Sequence, residues 1–426
     1  MTELFTRAFA DDPYPAYAAL RRDAPVHRTT LPSGVDAWLV SRYEDARSAL
    51  ADPRLSKNPD THSRAAHAAG KVGIPGERSS GLITHLLNID PPDHTRLRRL
   101  VSRAFTPRRV AAFEPRVQAL ADGLLDAFAA RGSADLIHEY AFPLPIYAIC
   151  DLLGVPGEDQ EQLRDWAGQM IRHGARAPRG GVARAVKRIR GYLAELIHRK
   201  RSDLGDDLIS GLIRASDHGE HLTESEAAAM AFILLFAGFE TTVNLIGNGT
   251  RALLDPVHGA QRAAFEKSVA DGDAAAQTAA VEELLRFDGP VEMATWRFAR
   301  EDLVLGGPGG PGGPRIAAGE PVLVVLAAAD RDGARFADPD LLDLARADNP
   351  HLGFGHGIHY CLGAPLARLE GRVALAALFR RLPDLELSAD PSELRWRGGL
   401  IMRGLRDLPV SFAPLSGLLH GPDGES

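Results

Sequence analysis

The stretch from Leu222 to Asp255 limits the possible folds more than any other part of this chain. It opens with Leu222-Thr223-Glu224-Ser225-Glu226, where Thr223 and Glu226 have the spacing of a capping box, and it closes at Asp255-Pro256. A helix of roughly 30 residues rises about 45 Å, enough to cross a whole domain. Ala231 to Phe239 is apolar on every face, so this helix has to be surrounded by protein. A fold built around it is mainly α. Its uncharged apolar part, Ala227 to Phe239, is shorter than the ~20 residues a bilayer span needs, so no membrane is expected. Into this core the sequence places Ala237, Gly238, Glu240, Thr241 and Thr242. A buried carboxylate is costly unless paired or hydrated, and a helical glycine costs about 1 kcal/mol, so stability alone does not account for the group. The structural alternative is a threonine hydroxyl bonded back to the preceding turn, with Glu240 in an ion pair.

A second stretch, Phe354-Gly-His-Gly-Ile-His-Tyr-Cys-Leu-Gly363, lies between a turn-rich segment ending Asp348-Asn349-Pro350 and a helical periodicity over Leu362 to Leu378. Cys361 therefore sits at a loop-to-helix junction, where backbone amides and the positive end of the helix dipole favour a thiolate. A lone cysteine is often only a small buried hydrophobe. A nucleophilic cysteine needs a histidine and an orienting partner, and His359 is poorly placed for that. Zinc needs several soft ligands, and only Cys150, in the apolar run Pro145 to Leu153, remains. One thiolate among glycines 355, 357 and 363 fits haem iron held by a single cysteine, with Phe354 and Leu362 excluding water.

Phe354-Gly355-x-Gly357-x-His359-x-Cys361-x-Gly363 is similar, at every fixed position, to the haem-binding signature of the cytochrome P-450 superfamily. Three further motifs extend the resemblance from about Asp11 to Pro414, in the right order. Ala237-Gly238-x-Glu240-Thr241-Thr242 resembles the family's oxygen-binding motif, in which small residues make room, a local kink opens the helix, and the acid and threonine relay protons. Glu283-Leu-Leu-Arg286, which on spacing alone could be a surface pair, resembles the Glu-x-x-Arg motif that pins the loop before the cysteine together with Arg346. His94 and Arg98, spaced i, i+4 after Asp90-Pro91-Pro92-Asp93, resemble the pair that holds the haem propionates; Arg297 and His359 match further donors to them.

The resemblance implies a single P-450 domain over 1–415, mainly α with a small β-rich region, and a disordered tail over 416–426. Haem b would lie between the long helix and the helix after Cys361, which would be the metal ligand. The implied reaction is insertion of one atom of O2 into a lipophilic small molecule of secondary metabolism by hydroxylation or epoxidation. Electrons would come from NAD(P)H through a ferredoxin reductase and a ferredoxin, since no dinucleotide fingerprint or iron–sulfur segment is present. A haem-binding sensor is an alternative, as is a haem-thiolate enzyme using peroxide or catalysing coupling.

Net charge is -7, which argues against a nucleic-acid partner. Against that acidic background Arg96, Arg99, Arg103, Arg108 and Arg109 read as a positive docking patch for an acidic electron donor. The N-terminus has no apolar segment of a secretory signal, so a cytoplasmic monomer is expected. Residues 56–80 read as a mobile polar loop that could act as a lid, and 174–181 as a break that could roof a cavity. The three Gly-Gly-Pro repeats of 306–314 read as a surface insertion. Two departures from the family pattern are Leu342, where an aromatic is common, and Ala329-Asp330-Arg331-Asp332-Gly333, where Asn-Arg-Asp-Pro is usual.

Overall fold

The computed structural model describes residues 4–61, 85–171, 180–217, 222–306 and 312–415. The expectations for 62–80, 174–179, 307–311 and the tail therefore lie outside the described residues, as does the side chain of Arg103.

The long helix runs Glu224–Leu254 with Thr223 as its N-cap. The capping box is closed: Glu226 N donates to Thr223 Oγ1 at 3.1 Å, and Thr223 N donates to Glu226 Oε2 at 2.8 Å. Helices Pro143–Leu153, Gly181–Lys200, Ala274–Asp288 and Ala364–Arg381 pack around it. Phe239 and Ile246 are enclosed there with Phe128, Tyr140, Ile149 and Leu378. By length and composition this helix could cross a bilayer, contrary to the sequence expectation; its apolar faces are instead covered by protein, with 67% of its most apolar window buried. The α-helix continues unbroken through Gly238 to Thr242. Gly238 serves close packing, because a Cβ there would fall 3.2 Å from Ile149 Cδ1 on the neighbouring helix.

The β-rich part is small, as expected. Five strands lie in the order Val26–Thr30, Asp36–Val40, Pro321–Val324, Arg297–Ala299, Leu55–Ser56. Asp36–Val40 runs parallel to Pro321–Val324, with Trp38 opposite Val322, and the other pairings are antiparallel. The antiparallel pair Leu303–Val304 and Arg315–Ile316 flanks the Gly-Gly-Pro repeats.

Glu283 and Arg286 are 0% and 1% exposed, so they form no surface pair. Arg286 meets Glu283 in two parallel bonds of 2.8 Å and donates its remaining N–H groups to the carbonyls of Asp330, Pro339 and Leu341. Arg346 donates to both Glu283 oxygens, and the Asp343 amide and Asn349 side chain complete the acceptor's shell. This network fixes residues 330–349, the approach to Cys361. In the departing sequence 329–333 three side chains have partners beside this network: Asp330 Oδ1 accepts from Leu352 N, Asp332 Oδ2 accepts from Tyr43 N, and Arg331 stacks 3.7 Å from the Tyr14 ring and 3.9 Å from that of Phe287. Leu342, the other departure, is buried against Leu285 and Phe287.

Candidate active site

A cavity of about 680 Å3 lies between the long helix and the segment around Cys361. Its wall includes Ala237, Gly238, Glu240 and Thr241 on one side and Phe354, Gly355, His359, Cys361 and Gly363 on the other. His94 and Arg98 also reach it. Arg297, two residues past the cavity-lining Thr295, is buried in its strand and does not itself line the cavity.

Cys361 sits where the turn 357–359 feeds the helix Ala364–Arg381. The turn needs positive φ at Gly355 and Gly357 (73° and 75°), which glycine adopts without strain. At Gly357 a side chain would also strike the Leu50 carbonyl, 3.1 Å away. Burial raises the Cys361 thiol above its usual pKa, while the amides of Gly363 and Ala364 and the cations Arg98 and Arg368 favour its anion. The half-buried sulfur faces the cavity, so a cation there would find a ligand already supplied with hydrogen bonds. Arg368 stacks 4.5 Å from the Phe354 ring and is held by Glu282 at 2.6 and 2.9 Å.

The carboxylate end of an implied haem can be tested on charge. His94 is 2% exposed, and its Nε2 has no hydrogen-bond partner. Its ring lies 4.2 Å from that of His359. Burial lowers His359 to about 3, aided by His94, Lys57 and Arg297. Burial likewise depresses Arg297 to about 10 and Arg98 below its usual value. Among the described residues, no carboxylate pairs with Arg98 or Arg297; Arg297 has only the Thr295 carbonyl, at 3.3 Å. Two arginines with no carboxylate partner among the described residues and the unpartnered Nε2 of His94, beside a sulfur supplied with hydrogen bonds, fit an iron macrocycle carrying two carboxylates.

At the long helix, the structural reading of Thr241 is the one seen. Its Oγ1 donates to Ala237 O at 2.8 Å, and Thr242 Oγ1 donates to Gly238 O at 3.1 Å. Thr241 still borders the cavity, so a hydroxyl rotation would turn it from the helix carbonyl toward a ligand. Glu240 is 7% exposed and lies within the field of Arg397, whose charge it stabilises against burial. Within the positive patch Arg96 pairs with Glu226 and Arg109 with Asp206, and the side chains of Arg99 and Arg108 are exposed.

Three residues of this region escaped the sequence reading. Lys57, 3% exposed, donates to Thr295 Oγ1, Trp296 O and Thr295 O at 2.5, 2.6 and 2.9 Å; burial, reinforced by Arg297, holds its pKa well below that of an ordinary lysine. Glu370 lines the cavity from the cysteine helix, and burial raises it to about 8, partly offset by Thr242. Its signal was present, since an acid occupies a position between Leu366 and Val373 on the buried face of that helix. Arg397 is the third.

The geometry agrees with the comparisons. Residues 276–402 match the family model "Cytochrome P450". The cytochrome P450 monooxygenase PikC of Streptomyces venezuelae is 47% identical over 95% of this chain and 92% of its own length. The vitamin D(3) 25-hydroxylase of Pseudonocardia autotrophica is 44% identical, covering 97% of each chain. The solved structure of cytochrome P450 PksS from the bacillaene polyketide synthase of Bacillus subtilis superposes with a TM-score of 0.85 at 36% identity, over 97% of this chain and 100% of that one. With relatives this similar over nearly its whole length, the chain belongs to the cytochrome P450 family of haem-dependent monooxygenases.

Proposed function

We propose that this P450, a single domain over 1–415, oxygenates a lipophilic small molecule of secondary metabolism, of polyketide type, by hydroxylation or epoxidation. The observation that carries this reading is one apolar cavity reaching both Cys361 and the Glu240–Thr241 turn. The relatives named as a hydroxylase and as a polyketide-synthase P450 support the substrate class.

Haem b, when bound, supplies the activation of O2. The chain supplies the rest. Cys361 Sγ would hold the iron, while the Gly363 and Ala364 amides limit the charge its sulfur donates. His94, Arg98, Arg297 and His359 would hold the two carboxylates, and Phe354, Gly355 and Gly363 shape the turn beneath. Ala237 and Gly238 keep the facing helix slim. Thr241, released from the Ala237 carbonyl, would pass a proton to the oxygen side of the cavity, and Glu240 would replace it from water. Leu87, Ile233, Leu234, Val291, Leu400 and Ile401 would orient the substrate by apolar contact and exclude water.

Electrons come from partner redox proteins. We assign a ferredoxin with its reductase, docking where Arg99 and Arg108 add positive charge, to a monomer in the cytoplasm. The test is reconstitution with NADPH, a ferredoxin–reductase pair, 18O2 and a panel of macrolide and linear polyketides chosen by Soret shift. One labelled oxygen in the product is expected. Product formed without label, or only with added peroxide, overturns the reading.

A further inference from the structure

Two stretches that line the cavity are tied to each other along their backbones. Val291 bridges antiparallel to Met402, Arg403 N donates to Pro290 O at 3.0 Å, and Glu292 N donates to Ile401 O at 2.8 Å. A third stretch joins at the same peptide, because Glu292 O accepts from Ala327 N at 3.1 Å, next to the cavity-lining Leu326. Pro290, Val291, Leu326, Ile401 and Met402 thus form one wall of the cavity, knotted at Glu292.

None of the side chains that hold this wall lines the cavity. From the long helix, Asn248 Nδ2 donates to Asp288 O and to Arg403 O, each at 3.1 Å. The helix Tyr14–Asp23 supplies the other anchors: the Tyr17 hydroxyl donates to Glu292 Oε1, and the Tyr14 hydroxyl donates to Asp288 Oδ1 at 2.7 Å. Arg403 Nε donates to the same Asp288 oxygen at 2.7 Å, and its Nη1 donates to Ala10 O at 3.0 Å. Its guanidinium stacks 3.7 Å from the Trp396 ring. Tyr17, Asp288, Glu292 and Arg403 are all buried.

Stability is a weak reason for such a cluster, since an apolar filling of the same volume often serves as well as a buried ion pair. What the cluster adds is direction. Hydrogen bonds to a carboxylate are satisfied in a narrow range of geometries, so the wall has one register against the N-terminal helix.

We propose that Tyr14 and Tyr17 are positioning residues for substrate selection: through Asp288 and Glu292 they fix the wall of Val291 and Ile401 from outside the cavity and so set which molecules it accepts. This rests on the reading of the cavity as the substrate site. Loss of either hydroxyl leaves a buried carboxylate short of a donor, and the carboxylate then turns to find another, carrying the backbone of the wall with it.

The test uses the holoenzyme and ligands whose nitrogen binds ferric iron, so it needs neither turnover nor the natural substrate. Imidazole, N-phenylimidazole and clotrimazole, in order of increasing bulk, are titrated by Soret shift into the parent, Tyr14→Phe, Tyr17→Phe, the double variant and Tyr140→Phe. Tyr140 is the control: its buried hydroxyl donates to Ala374 O at 2.9 Å, and it borders neither the cavity nor the wall.

The Tyr14 and Tyr17 variants are expected to keep their haem content and their imidazole affinity, while the ratio of clotrimazole to imidazole affinity shifts severalfold, most in the double variant. Tyr140→Phe should lower the melting temperature and leave that ratio alone. Where the double variant takes up no haem, the single variants decide by the same ratio. An unchanged ratio in the Tyr14 and Tyr17 variants, or an equal shift in Tyr140→Phe, overturns the inference and makes the cluster structural. If clotrimazole gives no Soret shift in the parent although imidazole does, the substrate-site reading falls first, and the inference falls with it.

Discussion

Two buried charge clusters flank the cysteine loop, and they are built differently. Around Glu283 each charge is answered within the protein: two arginines, an amide and an asparagine surround one carboxylate, and the spare guanidinium donors end on carbonyls. Around Arg98, Arg297 and Lys57 the charges have one sign, beside His94 whose charged form burial disfavours, and the described partners of Lys57 and Arg297 are only carbonyls and a hydroxyl. Asp90, the nearby carboxylate, is committed to Arg300, Ser56 and the Lys57 amide. The first cluster is complete without a ligand and serves stability. The second carries an electrostatic cost that, on the proposed reading, a dianionic cofactor would relieve.

Four experiments press on that contrast. Cys361→Ser, which touches the ligand and neither cluster, should reduce turnover to background and abolish the thiolate-type carbon monoxide band, with the far-UV circular dichroism unchanged. Glu283→Gln strands two buried arginines and should destabilise the protein by about 3–5 kcal/mol, seen as a lower urea midpoint with or without haem. Arg297→Met should act with opposite signs in the two states: haem affinity falls about 10- to 100-fold, measured by transfer to apomyoglobin, while the apoprotein melts higher than its parent. If both forms lose stability alike, the second cluster is structural after all.

The smallest effect concerns pH. Glu282, bonded to His351 and Arg368, is lowered from 4.5 to about 2 because those bonds outweigh its burial. The unfolded chain therefore binds the proton more readily, and this contribution is present above pH 4.5 and is lost as pH falls toward 2. Glu282→Gln should flatten that part of the acid-unfolding curve and lower stability at neutral pH by about the amount that the parent loses across it.

Much of this was legible in the residues. The capping box, the all-round apolar helix and the glycine turn at Cys361 are local patterns, and local physics carries them into the structure. Glu283, Arg286 and Arg346 were readable only through the resemblance, because a four-residue spacing looks the same on a surface as in a core. Lys57 and Arg397 were not readable. Leu55-Ser56-Lys57-Asn58-Pro59 has the composition of a surface turn, and the burial of Lys57 follows from the carbonyls of Thr295 and Trp296, which are supplied by the segment leading into a strand far along the chain. Arg397 depends in the same way on the absence of a side chain at Gly404. At Gly238, Ile149 fills the space beside the helix and the two threonines close onto helix carbonyls, which the motif alone does not tell.

The parallel pairing of Trp38 with Val322 has a consequence for biosynthesis. The early strand leaves the ribosome long before its partner exists, and at about 5–20 residues per second the delay is on the order of tens of seconds. During that interval the hairpin Val26–Val40 can pair only with itself, with an open edge at Asp36–Val40 that invites other chains. Expression hosts that slow translation late in the message, or run short of chaperones, should therefore yield aggregated polypeptide before any pigment is captured.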